Sequence, residues 1–121
     1  VLVFDHHITF MGGFEAFLEA LPALRGRCVE KKLFVEAGSD EARRLAEAGV
    51  DGIQLDKLPA SDLAALVPEL RAIDSHITLI AAGGINLQNA AAYAATGVDG
   101  LATTAPFTAK PIDMSVRMKR A

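Results

Sequence analysis

Two hydrophobic periods take turns along this chain, and the switches between them lay out its elements. Short apolar runs at Val1–Phe4, Leu33–Glu36, Gly52–Asp56, Ile77–Ala82 and Gly100–Thr103 have the aliphatic and β-branched character of buried strands. Between most of them apolar residues recur every three or four positions, as Phe14, Phe17, Leu18 and Leu21 do. That spacing predicts helices over roughly Gly13–Leu24, Asp40–Ala48, Asp62–Ile73 and Leu87–Ala95. Ser39, Ser61 and Asn86 stand where N-caps belong. Pro22 and Pro68 fall inside two of the helical patterns and are expected to kink or shorten them. The order is β-α-β-α, which implies a parallel sheet.

A repeat supports this order. Glu47-Ala48-Gly49-Val50-Asp51-Gly52-Ile53 is echoed by Ala95-Thr96-Gly97-Val98-Asp99-Gly100-Leu101, each copy closing a helix on Gly and opening a strand within a few residues. A barrel and a doubly wound sheet both satisfy the pattern. In either fold, ligands bind at the C-terminal strand ends, here Phe4–His7, Glu36–Ser39, Asp56–Leu58, Ala82–Asn86 and Thr103–Phe107.

Those ends hold the residues able to do chemistry. After Ile77–Ala82 come Gly83, Gly84 and an Asn suited to start a helix. Adjacent glycines let bare backbone N–H groups approach an anion, and a helix dipole would add to the attraction. Ala82, Gly83 and Gly84 are therefore candidate phosphate contacts, and a side chain at Gly83 is expected to fill the anion's place with little harm to the fold. Thr103 and Thr104 could add hydroxyl or backbone donors to the same phosphate, although the loop could equally be a passive turn. Asp56 and Glu36 end neighbouring strands and are the candidate catalytic acids, able to face a sugar diol, a Mg²⁺ ion or a developing cation. Lys57 is a further candidate contact, and a Schiff-base role for it would mark an isomerase or aldolase acting on a sugar phosphate. Of the adjacent His6 and His7, one is expected at the mouth, with His7 the candidate substrate contact; metal binding is not expected there. His76 lies at the remote end of a strand. Ser-nucleophile and P-loop patterns are absent from the sequence.

Composition narrows the class of function. The chain has 121 residues, 51% of them hydrophobic and 22% charged, which suits one packed globular unit. Its formal net charge of −3 and its scattered basic residues, apart from Lys31-Lys32 and the group Arg117, Lys119 and Arg120, argue against a nucleic-acid partner. No apolar run approaches the ~20 residues that span a bilayer. The single cysteine, Cys28, is expected to be buried filler in a reducing, cytoplasmic setting.

In order along the chain, Leu2-Val3-Phe4-Asp5-His6-His7, Val35-Glu36, Gly49 to Lys57, Ala81-Ala82-Gly83-Gly84-Ile85 and Tyr93-Ala94-Ala95-Thr96-Gly97-Val98-Asp99 resemble motifs of quinolinate phosphoribosyltransferases, also called nicotinate-nucleotide pyrophosphorylases. Gln54-Leu55-Asp56-Lys57 and Thr104-Ala105-Pro106-Phe107, with Ala109-Lys110-Pro111-Ile112-Asp113-Met114, resemble the ModD subgroup, encoded with molybdate transporters. The resemblance implies an α/β fold that is part of an open (β/α) TIM-like barrel with parallel strands. It also implies an upstream domain and first barrel strands lying outside residues 1–121. The implied activity joins a nitrogen heterocycle to phosphoribosyl pyrophosphate, releasing pyrophosphate, with Mg²⁺ held on the pyrophosphate and no dedicated protein site. A homodimer or higher homo-oligomer is implied as well. Where the family carries a lysine contacting anionic substrates, this chain has Phe4, so a substrate with fewer carboxylates than quinolinate is expected. A non-catalytic sensor of the molybdate system is the alternative that this replacement suggests.

Overall fold

The computed structural model describes residues 1–120. Five strands form one sheet in the order β1 (Leu2–Val3), β2 (Phe34–Ala37), β3 (Gly52–Asp56), β4 (Thr78–Ala82) and β5 (Gly100–Leu101), all parallel. The helices between them are α1 (Asp5–Phe10), α2 (Phe14–Arg27), α3 (Ser39–Glu47), α4 (Ala60–Ile73) and α5 (Ala90–Ala94), and α6 (Ala105–Thr108) follows β5. Strand order follows chain order without reversal, so the sheet winds in one direction, as in a barrel, and stays open. A doubly wound sheet would reverse its order at a switch point.

Register explains the two faces. Val35, Ile53 and Leu79 stand side by side at 0% exposure and pack in one core with Leu45 of α3 and Leu63 and Leu70 of α4. The next row, Glu36, Gln54 and Ile80, is half-buried on the opposite face. Gly52 is needed in that sheet because a Cβ there would run into the Phe34 ring.

The prolines do not break their helices. α2 runs through Pro22 and α4 through Pro68, so neither helix is shortened at its proline as expected. Both prolines lie on exposed positions, where water can take the carbonyl that the missing N–H leaves free, while Phe17, Leu21, Leu66 and Leu70 anchor the other face. Expected caps also shift. Gly38 and Pro59 occupy the N-cap positions of α3 and α4, with Ser39 and Ser61 already inside the helices, and the Ser61 hydroxyl bonds the Asp62 carboxylate at 3.0 Å. Cys28 caps the C-terminus of α2 and is half-buried, not enclosed. α1 was not foreseen: its six residues bury only Ile8, too little for an apolar stripe.

The repeated Gly-Val-Asp-Gly has a mechanical meaning. Gly49 (φ 76°) and Gly97 (φ 88°) turn the chain through the left-handed region. Each following aspartate then clamps the preceding strand: Asp51 Oδ2 accepts the Leu33 N–H and Asp99 Oδ2 the Leu79 N–H, both at 2.7 Å. An arginine near the end of the preceding long helix completes each clamp, Arg25 on Asp51 at 3.4 Å and Arg71 on Asp99 at 2.7 Å. All of this lies at the N-terminal strand ends, away from the mouth.

Burial opposes the Asp99 charge, but the Leu79 N–H and the Arg71 guanidinium outweigh it and hold this carboxyl below the usual carboxylate range. A carboxyl with a depressed folded-state pKa contributes stability above its unfolded pKa of about 4 and loses it as pH falls through the folded value. Asp99→Asn is therefore expected to lower stability by about 1 kcal/mol near pH 7, discounted for its exposure. Urea midpoints of the two proteins should converge as pH drops below about 4.

Candidate functional site

The C-terminal ends of β2, β3, β4 and β5 bring most of the expected residues to one rim. Glu36 is half-buried and accepts a hydrogen bond from Gln54 Nε2 at 2.7 Å, which fixes its carboxylate over the open face. Gln54, missed as a site residue, is signalled in the sequence as the one amide within an apolar strand. Asp56 ends β3 with 25% of its side chain exposed, and its Oδ2 lies 2.9 Å from Lys57 Nζ. Lys57 is the only residue other than glycine with positive φ among the described residues, at 55°. Its backbone N–H donates to the Ala82 carbonyl at 2.9 Å, closing the β3–β4 corner. The hydrogen bond to Asp56, with that carboxylate's charge, holds the exposed Lys57 ammonium above the ordinary lysine range.

Gly83 differs from the expectation. It sits at φ 87°, and a Cβ built there would lie 2.5 Å from Lys57 Cγ, 2.7 Å from Lys57 N and 2.9 Å from Asp56 Oδ1. The missing side chain makes room for the neighbouring strand end, so a substituent at Gly83 meets the protein itself before any anion. Gly84, at φ 72°, has open space where its Cβ would be.

Gly83, Gly84, Ile85, Ala102, Thr103 and Thr104 line a cleft of about 310 Å³. Among the described residues, none of the N–H groups of Gly83, Gly84, Ile85 or Thr104 donates a hydrogen bond to the protein. Their orientation is set from behind. Asn86 Nδ2 and Asn89 Nδ2 donate to the Gly84 carbonyl at 3.2 and 3.1 Å. In a planar trans peptide the Ile85 N–H must then point the opposite way. Asn89 also accepts the Asn86 N–H at 2.8 Å. The sequence carries no signal for Asn89 beyond its type.

Two expected contributions change. The helix anticipated from Leu87 begins only at Ala90 and has five residues, so the loop's polarity rests on its own amides, with little help from a helix dipole. The Thr103 hydroxyl donates to the Ile85 carbonyl and accepts the Ala105 N–H at 3.1 Å, which ties the two loops together and leaves Thr103 no free hydroxyl proton for a ligand. The Thr104 side chain caps nothing in α6.

His7 is in α1 and not on a strand end. It is exposed, and its Nδ1 accepts the Phe4 N–H at 3.0 Å. A second cleft, of about 230 Å³, has Asp5, Ile8, Glu36, Glu41 and Asp56 in its lining. His76, with its side chain 94% exposed, takes no part in this rim. No helix among the described residues is long and apolar enough to cross a membrane.

This arrangement can hold a phosphoryl group on backbone amides and place two carboxylates a short way along the same rim. The chain that carries it is similar to known proteins. Residues 1–117 match the family model described as "Quinolinate phosphoribosyl transferase, C-terminal domain". The chain is 34% identical to ModD of Escherichia coli O157:H7 over 125 residues, covering 100% of this chain and 43% of that protein. It is 29% identical to the nicotinate-nucleotide pyrophosphorylase [carboxylating] of Rattus norvegicus over 120 residues, covering 98% of this chain and 40% of that protein. The solved nicotinate-nucleotide pyrophosphorylase from Francisella tularensis superposes with a TM-score of 0.71 at 27% identity, covering 83% of this chain and 34% of that one. The chain thus spans less than half the length of these relatives. With the match running over 1–117, the chain belongs to the quinolinate phosphoribosyl transferase family, in the region of its C-terminal domain.

Proposed function

We propose that the full-length protein is a phosphoribosyltransferase that joins a nitrogen heterocycle to phosphoribosyl pyrophosphate. In this reaction the ring nitrogen's lone pair forms the bond to C1′ while the C1′–O bond breaks, its electron pair leaving with pyrophosphate. The observation that carries the reading is the set of unpaired loop amides at Gly84, Ile85 and Thr104, sharing a rim with Glu36 and Asp56. The amides would hold the 5-phosphate, as preorganised backbone donors do for anions elsewhere. Glu36 and Asp56 would face the ribose hydroxyls and the positive charge developing at C1′. Ala82 and Gly83 shape the loop, and His7 would approach the substrate from α1. Mg²⁺ would arrive on the pyrophosphate and keep most of its waters. A cytoplasmic homo-oligomer linked to molybdate uptake is the setting that we infer from the ModD likeness.

The sugar-phosphate aldolase alternative needs a neutral Lys57 amine. The Asp56 carboxylate keeps that ammonium protonated, which disfavours it. Pyrophosphate release from phosphoribosyl pyrophosphate across a panel of heterocycles, with full-length protein, tests the reading. Ring-dependent release supports it, and tight binding of phosphoribosyl pyrophosphate without release would favour the sensor alternative.

Asn89→Ala offers a finer test. By removing one of the two amide donors that hold the Gly84 carbonyl it should weaken ribose 5-phosphate binding about fivefold, the order of one hydrogen bond, although Asn89 does not line the cleft. Calorimetric titration of full-length protein would read this.

A further inference from the structure

Three rings crowd the first turn of α1. Phe4 and His6 stack with centroids 5.5 Å apart and planes within 10°, and the His6 and His7 centroids are 4.1 Å apart. Both histidines are exposed and Phe4 is half-buried. Because His7 Nδ1 accepts the Phe4 N–H, the neutral His7 ring carries its proton on Nε2 and can donate outward. The pairing of Leu2 with Phe34 and of Val3 with Val35 brings Phe4 level with Glu36 in the sheet.

The same turn borders the cleft lined by Asp5, Glu36, Glu41 and Asp56, and no basic side chain lines that cleft among the described residues. The nearby ammonium of Lys57 is already paired with Asp56. A ring bearing carboxylates would meet several like charges there and would gain no direct partner from this wall. An uncharged aromatic ring gains the stacking surface without that repulsion, and a ring that becomes cationic gains the carboxylates as well.

We propose, building on the transferase reading, that the accepting substrate is an aromatic heterocycle without net negative charge, seated against the Phe4 and His6 rings beside this acidic wall. As the ring nitrogen bonds C1′ and the pair of the C1′–O bond departs with pyrophosphate, a pyridine-type nitrogen becomes positively charged. Glu36 and Asp56 stabilise that charge. A ring that reacts through an N–H nitrogen instead releases its proton to solvent.

The experiment compares kcat/KM for nicotinamide, adenine and quinolinate with full-length protein, phosphoribosyl pyrophosphate and Mg²⁺, following pyrophosphate. At least one neutral ring is expected to exceed quinolinate tenfold or more. Phe4→Lys, which adds a cation at this spot, should raise kcat/KM for quinolinate at least tenfold while lowering it for the neutral ring. Phe4→Leu keeps an apolar side chain and should raise the neutral ring's KM with a smaller change in kcat. Wild-type preference for quinolinate over both neutral rings, or an unchanged preference in Phe4→Lys, would overturn the inference and leave the transferase reading standing. No pyrophosphate release with any ring would overturn both.

Discussion

Gly83→Ala is expected to damage the fold before it damages any ligand contact. The residue sits at φ 87°, where an L side chain costs roughly 1–2 kcal/mol. Its methyl group would press on the Lys57 backbone nitrogen and the Asp56 carboxylate, adding overpacking strain of roughly 1–3 kcal/mol. The two nearest atoms, Lys57 Cγ at 2.5 Å and the Lys57 backbone nitrogen at 2.7 Å, sit on or close to the main chain, so the β3–β4 corner itself must move. We expect a total loss of about 2–4 kcal/mol and a thermal midpoint lower by roughly 5–10 °C. Gly84→Ala makes the contrast. It carries backbone strain of roughly 1–2 kcal/mol but opens into free space, so the midpoint should fall less while affinity for ribose 5-phosphate falls about tenfold or more. Paired thermal scans and titrations of full-length protein separate the two glycines. An unperturbed fold in Gly83→Ala would mean that the corner is looser than its contacts indicate.

Asp56→Asn should act on turnover. The substitution keeps shape and removes a charge that faces the proposed reacting centre, so kcat is expected to fall about 10²–10³-fold. KM for phosphoribosyl pyrophosphate should change only a few-fold, because the lost interaction strengthens in the transition state. The variant also releases Lys57 from its 2.9 Å partner, so a Lys57→Asn control is needed to assign the loss to the carboxylate. Turnover within twofold of wild type would remove Asp56 from the mechanism.

How much of this was legible in the chain depends on the kind of information each feature needs. Strands such as Gly52–Asp56 announce themselves because burial on one face and turn chemistry at both ends are local properties. The repeated Gly-Val-Asp-Gly predicts where β3 and β5 begin, and its aspartates prove to be stitches between strands. The prolines misled because propensity is local while the apolar faces of α2 and α4 are held by the core, and both prolines lie on the exposed side. α1 stayed hidden because only Ile8 of its six residues is buried.

At the rim, residue types that carry charge were readable from their strand-end positions, as with Glu36 and Asp56. What each glycine accommodates was not. Gly83 and Gly84 are adjacent and look equivalent, yet one faces a neighbouring strand end and the other open space, a distinction that only the packing of Lys57 supplies. Asn89 escaped notice for a similar reason, since its work is done on a carbonyl five residues earlier in the chain.

The central claim is that main-chain donors of the loop after β4 grip a phosphoryl group. Amide chemical shifts of full-length protein, followed while ribose 5-phosphate is added, test it most directly. The account predicts large, saturable shifts at Gly84, Ile85 and Thr104, well above those at the clamp around Asp51 and Asp99. Saturable binding that leaves those three amides unmoved would contradict it.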